Sequence, residues 1–267
     1  METISDKADG ARAAPLLGIV KVTHRFGGLL ALDEVAFTIA PGEVVCLIGP
    51  NGSGKTTLFN IVSGLLQPSA GAVLFRGKPI NGMPPHLIAA RGIGRTFQNA
   101  RLFPNLSLLD NLLVPQFLRS RNGLFNVLFC ASDERAERCA FRERAEALLG
   151  ELAGGRLYAR RLDYPDSCSL GERRMIEIMR VLALDPELVL MDEPTQGLNP
   201  VWVAEMLQLI ENVRRRGKTI LLVEHKMAVV MRVADRIVVL NSGRKICDGP
   251  PEQVRGDPMV LHAYLGQ

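Results

Sequence analysis

Nine consecutive residues, Gly49-Pro50-Asn51-Gly52-Ser53-Gly54-Lys55-Thr56-Thr57, carry the clearest chemistry in the chain. Gly49, Gly54, Lys55 and Thr56 fall on the spacing G-x-x-x-x-G-K-[ST]. Glycines there let the backbone curl so that successive N–H groups point inward at anionic oxygens. A helix starting near Lys55 adds the positive end of its dipole. Lys55 is placed to reach the β- and γ-phosphates of a nucleotide, and the Thr56 hydroxyl to help hold Mg²⁺. The apolar run Val44–Ile48 before the loop and an apolar helical pattern after it weigh against the plainer reading, a glycine-rich loop without a ligand. The chain is expected to bind a nucleoside triphosphate.

Other residues supply what such a loop lacks. Met191-Asp192-Glu193-Pro194 closes the apolar run Leu188–Met191. Acidic side chains at the end of a buried strand are costly unless they bind a metal or a water. Asp192 suits a Mg²⁺ shell, and Glu193 a general base on the attacking water. His225 follows Glu224 at another strand end, where ligands gather in parallel sheets, so a γ-phosphate contact competes with a structural histidine. Ser169-Leu170-Gly171-Glu172 opens a helical pattern carrying Met175, Ile176, Met179 and Leu182. Ser169 with Glu172 three residues on is a capping box. The same helix start could instead hold phosphate, and spacing does not decide between the two.

These residues need a scaffold. From Leu16 to Ile39 apolar and polar residues alternate as in β-strands, with turns at Gly27-Gly28 and Pro41-Gly42. Leu58, Ile61, Val62, Leu65 and Leu66 give the helix after the loop one buried face. A short strand is expected at Ala72–Phe75 and a helix over Met83–Arg91. Between Asn105 and Asp166 charged residues crowd in around a helical stripe of Ala145, Leu148, Leu149 and Leu152. This reads as a mostly helical insert with Arg and Glu as i,i+4 surface pairs. Beyond it, strands at Leu188–Met191, Thr219–Val223 and Ile237–Leu240 alternate with helices at Trp202–Arg216 and Met227–Val233. Such alternation argues for a largely parallel sheet covered on both faces. Arg214-Arg215-Arg216-Gly217 reads as a helix C-terminus rather than a nucleic-acid patch.

Composition sets limits on function. The 267 residues are 47% hydrophobic and 22% charged, with a net charge of +4 that makes no case for nucleic acid. Five cysteines without a C-x-x-C pair suggest a reducing, cytoplasmic compartment. Residues 1–14 read as a frayed, disordered tail without a secretion signal. The longest membrane candidate, Gly123–Phe129, falls well short of the ~20 apolar residues needed to span a bilayer. Any membrane role must therefore be carried out on a partner.

In this order, the pieces resemble the nucleotide-binding subunit of an ABC transporter over nearly the whole chain. The resemblance implies an α/β fold: a P-loop NTPase (ABC ATPase) core with an antiparallel β-subdomain and an inserted α-helical subdomain. It further implies one ABC ATPase domain over 15–267, with the core expected at 15–104 and 167–250, the helical insert at 105–166 and a tail at 251–267. Gly49–Thr57 resembles the Walker A loop, and Leu188–Glu193 the Walker B strand with its catalytic glutamate. Gln98 resembles the Q-loop glutamine that senses Mg²⁺ and the γ-phosphate. Gly197–Pro200 stands where the D-loop should be, His225 where the switch histidine should be, and Phe26 matches the aromatic that stacks on adenine. Cys168–Glu172 occupies the signature position, which moves Ser169 and Gly171 toward nucleotide binding. In that family this helix start faces the γ-phosphate held by another subunit, so two ATPs lie in a head-to-tail dimer.

Gly92–Phe103, Phe26–Leu32 and the tail Pro251–Gly266 are similar to uptake ATPases for branched-chain or other hydrophobic amino acids. Systems for urea, short amides or aromatic acids share much of this pattern. The resemblance implies ATP and Mg²⁺ as cofactors and a second identical or paralogous ATPase subunit. It also implies transmembrane permease subunits, an indirect solute-binding protein, and a place on the cytoplasmic face of the membrane. Arg101 and Phe103 are expected near the permease. A single phosphate loop and the lack of a heptad run disfavour a non-transport ABC ATPase. Glu193 and His225 disfavour a cassette that binds ATP without hydrolysing it. The signature departs from L-S-G-G-Q at Leu170 and Glu172. The carboxylate of Glu172 is expected to repel nucleotide phosphates and loosen the sandwich.

Overall fold

The structure is a computed structural model that describes residues 14–96, 102–115, 131–151 and 155–265; for 131–138 and 265 only the backbone is described. Gln98, Arg101, the stretch 123–129 and nearly all of the expected tail at 1–14 therefore lie outside the described residues.

Two sheets face each other. The first is antiparallel, in the order β2-β1-β4-β5, from β1 (Leu17–Phe26), β2 (Leu29–Ile39), β4 (Ala70–Phe75) and β5 (Lys78–Pro79). The second has six strands in the order β10-β9-β3-β8-β7-β6. Its members are β3 (Val44–Ile48), β6 (Ile93–Arg95), β7 (Leu188–Asp192), β8 (Thr219–Val223), β9 (Arg236–Asn241) and β10 (Arg244–Gly249). All neighbouring pairs are parallel except β9 with β10. Strands β3, β7 and β8 are buried at every position, as expected of near-continuous apolar runs in a sheet covered on both faces.

Period-two alternation divides the core. From β3, Val44, Cys46 and Ile48 enter one apolar cluster while Val45 and Leu47 enter the other. The second cluster lies between the two sheets and takes in Leu58, Phe59 and Val62 of α1 (Lys55–Val62). The first is roofed by α6 (Leu170–Leu182) and α7 (Pro200–Arg215). It continues into the helical stretch made of α3 (Leu108–Leu113), α4 (Ala131–Glu151) and α5 (Arg156–Ala159). Ala145, Leu148 and Leu149 of α4 are buried there, and Arg142 pairs with Glu146 at 3.0 Å on the outside. The remaining helices are α2 (Pro85–Ala90), α8 (Met227–Val233), α9 (Pro251–Arg255) and α10 (Pro258–Leu265).

Helix α7 begins two residues ahead of the expected Trp202. Asn199 caps it through the Trp202 N–H at 3.1 Å, and Pro200 takes the first turn, where its missing N–H costs nothing. It ends as expected: Gly217 has φ +74, Arg214 bonds Asp235 at 2.6 Å and Arg215 bonds Glu211 at 3.2 Å. Strand β10 was not expected. Charged residues at Arg244, Lys245 and Asp248 mask its alternation, yet Asn241-Ser242-Gly243 is a hairpin signal.

Candidate functional site

Strands β3, β8 and β7 are adjacent and parallel, so their carboxyl ends open onto one place. The loop 49–54 leaves β3, Asp192 and Glu193 end β7, and Glu224 and His225 follow β8. Glu193 is tied across the sheet by its N–H to the Val223 carbonyl at 2.9 Å. These segments are distant in sequence and brought together by strand order alone.

The loop needs its glycines. A Cβ on Gly49 would come within 2.1 Å of the Leu240 carbonyl oxygen. At Gly54 φ is +102 and a Cβ would lie 2.6 Å from Leu32 Cδ2. Gly54 also begins α1 without any side-chain cap, leaving the first-turn N–H groups free of a side-chain acceptor. Lys55 is buried; its Nζ donates to the carbonyls of Gly49 at 2.7 Å and Pro50 at 2.9 Å. Burial holds its pKa below the usual lysine value, against the pull of Glu193 and Asp192.

A cleft of about 310 Å³ lies over this loop. Phe26, Leu29, Leu30 and Ala31 form one wall, residues 51–57 the floor, and Glu193 and His225 the far side. Phe26 is 48% exposed and meets His24 edge-on at 4.5 Å, which leaves a ring face for stacking. His225 Nε2 lies 2.6 Å from Glu193 Oε1. Glu193 holds a left-handed backbone, φ +48, unusual for a non-glycine residue. This strained position aims its carboxylate at His225 and the cleft.

Asp192 sits behind, 7% exposed, with Arg95 Nη2 at 3.4 Å. Desolvation raises its pKa despite the neighbouring guanidinium. Arg95 also donates to Asn60 at 2.8 Å and Ser63 at 2.7 Å, so it ties β6 to α1 behind the loop. Sequence reasoning missed Arg95. It also missed Glu224, whose buried carboxylate accepts from Thr195 Oγ1 at 2.6 Å and from the backbone N–H groups of His225 and Lys226 at 2.9 and 3.1 Å. Glu224 thereby fixes the turn that carries His225. Only its place beside His225 at a strand end could have drawn attention to it.

Ser169 and Gly171 do not line this cleft. Ser169 caps α6 in a complete capping box: its Oγ accepts from the Glu172 N–H at 3.3 Å, and Glu172 Oε2 accepts from the Ser169 N–H at 2.8 Å. Gly171 has a packing reason to be glycine, because a Cβ would stand 2.1 Å from Trp202 Cδ2. The Glu172 carboxylate, expected to repel nucleotide phosphates, has partners of its own in the structure. Its Oε1 accepts from Arg160 Nη1 at 2.8 Å, so the carboxylate is already paired. Leu170 is 55% exposed and its Cδ2 lies near Gly197, clear of Gly171's contact with Trp202. Phe103 is exposed, with the Arg180 guanidinium 5.9 Å from its ring centre.

Comparison with known proteins agrees with this architecture. A family model described as ABC transporter matches residues 32–196. The chain is 41% identical over 254 residues to the high-affinity branched-chain amino acid transport ATP-binding protein LivG of Escherichia coli (strain K12), covering 95% of this chain and 98% of that one. It is 40% identical to the corresponding protein BraF of Pseudomonas aeruginosa, with the same coverage. The lipopolysaccharide export system ATP-binding protein LptB of Acidithiobacillus ferridurans is 36% identical over 237 residues, covering 89% and 91% of the two chains. Among solved structures, the ADP conformation of MJ1267, an ATP-binding cassette of an ABC transporter, superposes with a TM-score of 0.82. It shares 28% identity and covers 96% of this chain and 100% of its own.

Proposed function

The chain belongs to the ABC transporter family of ATP-binding proteins and is an ATPase, and from that premise we propose that it powers an importer of branched-chain or other hydrophobic amino acids. The single observation that carries the catalytic part is the Glu193–His225 contact at 2.6 Å facing the phosphate loop. Similarity to LivG and BraF over nearly the full length supports the choice of solute.

Phe26 stacks on adenine; Gly49, Pro50, Asn51, Gly52, Ser53, Gly54 and Thr57 surround the phosphates. Lys55 exchanges its carbonyl partners at Gly49 and Pro50 for phosphate oxygens. Glu193 accepts a hydrogen bond from the attacking water and His225 holds that carboxylate and the γ-phosphate in line. Gln98, which lies outside the described residues, remains the candidate for sensing Mg²⁺ and the γ-phosphate by family resemblance alone. Thr56 and Asp192 present the hard oxygen donors that Mg²⁺ prefers. Among the described residues no group of three acidic, His or Cys side chains could hold a metal unaided. When bound, Mg²⁺ neutralises charge on the β- and γ-phosphates.

A second copy, or a close paralogue, brings Ser169 and Gly171 to this nucleotide. Their position off the chain's own cleft supports that arrangement. ATP-binding subunits of transporters work with transmembrane permease components, and no helix among the described residues is long and apolar enough to cross a membrane. We place the chain on the cytoplasmic face, against such permeases and indirectly a solute-binding protein. The test is uptake of labelled leucine by cells lacking the chain, complemented with the parent or with Lys55→Ala. Uptake should return with the parent only, and the tagged parent should bring permease subunits down from solubilised membranes. Uptake indifferent to the chain, or co-purification with an export complex, overturns the reading.

A further inference from the structure

Helix α6 carries a glutamate, Glu172, in its first turn, at the helix start proposed above to meet phosphate. A second negative charge within a few ångströms of a triphosphate opposes binding, and more so in a closed, partly dehydrated interface. The structure holds a counterpart to that charge. Arg160, just past α5, reaches back to the signature segment and makes four hydrogen bonds. Nη1 donates to Glu172 Oε1 at 2.8 Å and Nε to Asp163 Oδ2 at 2.9 Å. Nη2 donates to the Ser167 carbonyl at 2.9 Å and to Ser167 Oγ at 3.0 Å. The other Glu172 oxygen accepts from the Ser169 N–H at 2.8 Å. Both carboxylate oxygens are therefore held by donors, folded back onto the residue that starts the helix.

We propose that Arg160 is a positioning residue for the signature helix: it pins and neutralises the Glu172 carboxylate, so that the Ser169–Gly171 helix start can close on a nucleotide phosphate held by a second copy. The inference rests on the two-copy reading above. Two roles sit in one side chain. The bonds to Ser167 shape the backbone leading into the cap, and the bond to Glu172 removes a repulsive charge. Only the second depends on residue 172 being acidic, so the two can be separated by experiment. The pairing also accounts for a signature that carries glutamate without forfeiting the helix dipole: the guanidinium lies beside the carboxylate, and α6 keeps its positive end.

The experiment uses the full chain with Glu193→Gln to slow hydrolysis, and measures the ATP concentration giving half-maximal dimer by light scattering. Arg160→Met should raise that concentration about tenfold, the size of one lost charge-assisted hydrogen bond. Adding Glu172→Gln to Arg160→Met should bring it back to within about twofold of the parent, because no charge then needs a partner. Asp163→Asn, which removes a different partner of Arg160, should stay near the parent. The Arg160→Met deficit should shrink as salt is raised. Should Arg160→Met not fold, Arg160→Lys keeps a cation for Glu172 and should stay within about threefold of the parent. A double variant as weak as Arg160→Met, or an Arg160→Lys chain much weaker than the parent, overturns charge compensation. An Arg160→Met chain that dimerises like the parent does so too. Failure of the Glu193→Gln parent itself to dimerise with ATP is a separate result: it removes the two-copy reading, and this inference with it.

Discussion

Gly171→Ala tests how the signature helix is seated, and the structure sets its size. An added Cβ would lie 2.1 Å from Trp202 Cδ2, 2.4 Å from Cγ and 2.6 Å from Cε2. No ordinary carbon contact is that short, so the indole must retreat by more than an ångström. Its freedom is limited: Arg156 lies over the ring, 5.9 Å from its centre, and bonds Glu205 at 2.9 Å on the same helix. Overpacking of this kind costs about 1–3 kcal/mol. Alanine returns up to about 1 kcal/mol of helix propensity, which leaves a net loss of roughly 1–2 kcal/mol. In a chain of this size that lowers the unfolding midpoint by about 2–6 °C. Trp202 is the only tryptophan, so its emission reports both the unfolding and the displacement of the ring. In a Trp202→Leu background, where unfolding is followed by circular dichroism in both backgrounds, the clash disappears and Gly171→Ala should become neutral or stabilising. Equal effects of Gly171→Ala in both backgrounds, within about 0.5 kcal/mol, would refute the packing argument.

Three further outcomes follow from the same geometry. Lys55→Ala should abolish ATP turnover in a steady-state phosphate-release assay while leaving the circular dichroism of the chain intact. Glu224→Ala strands the Thr195 hydroxyl and the N–H groups of His225 and Lys226; it should cost about 1–3 kcal/mol in denaturant unfolding and lower kcat through the loss of His225's position. Glu172 is partly desolvated, yet the Ser169 donors and Arg160 hold its pKa below the ordinary carboxylate value of 4.5. Its folded pKa is depressed, so its contribution is complete above the unfolded pKa and is lost as pH falls through the folded one. The gap in stability between the parent and Glu172→Ala, about 1 kcal/mol near neutrality for a helix cap, should therefore narrow below about pH 4. An unchanged gap across that range would contradict the pairing.

What the amino-acid order determined by itself is local. The phosphate loop was legible because glycine, lysine and threonine at fixed spacing have few other uses. The buried strands were legible because a run such as Val44–Ile48 or Thr219–Val223 has no polar face to offer water. The capping box at Ser169 and the helix end at Gly217 were legible for the same reason: each is closed within a few residues. Three things needed the tertiary structure. Strand order set β8 between β3 and β7, which delivers Glu193 to His225 across 32 positions of sequence. Burial turned Arg95 and Glu224 from ordinary charges into the braces of Asp192 and of the turn that carries His225. Glu172 is paired with an arginine 12 residues away, a partner that no spacing rule in the sequence discloses, because a charge's influence depends on what stands next to it in space.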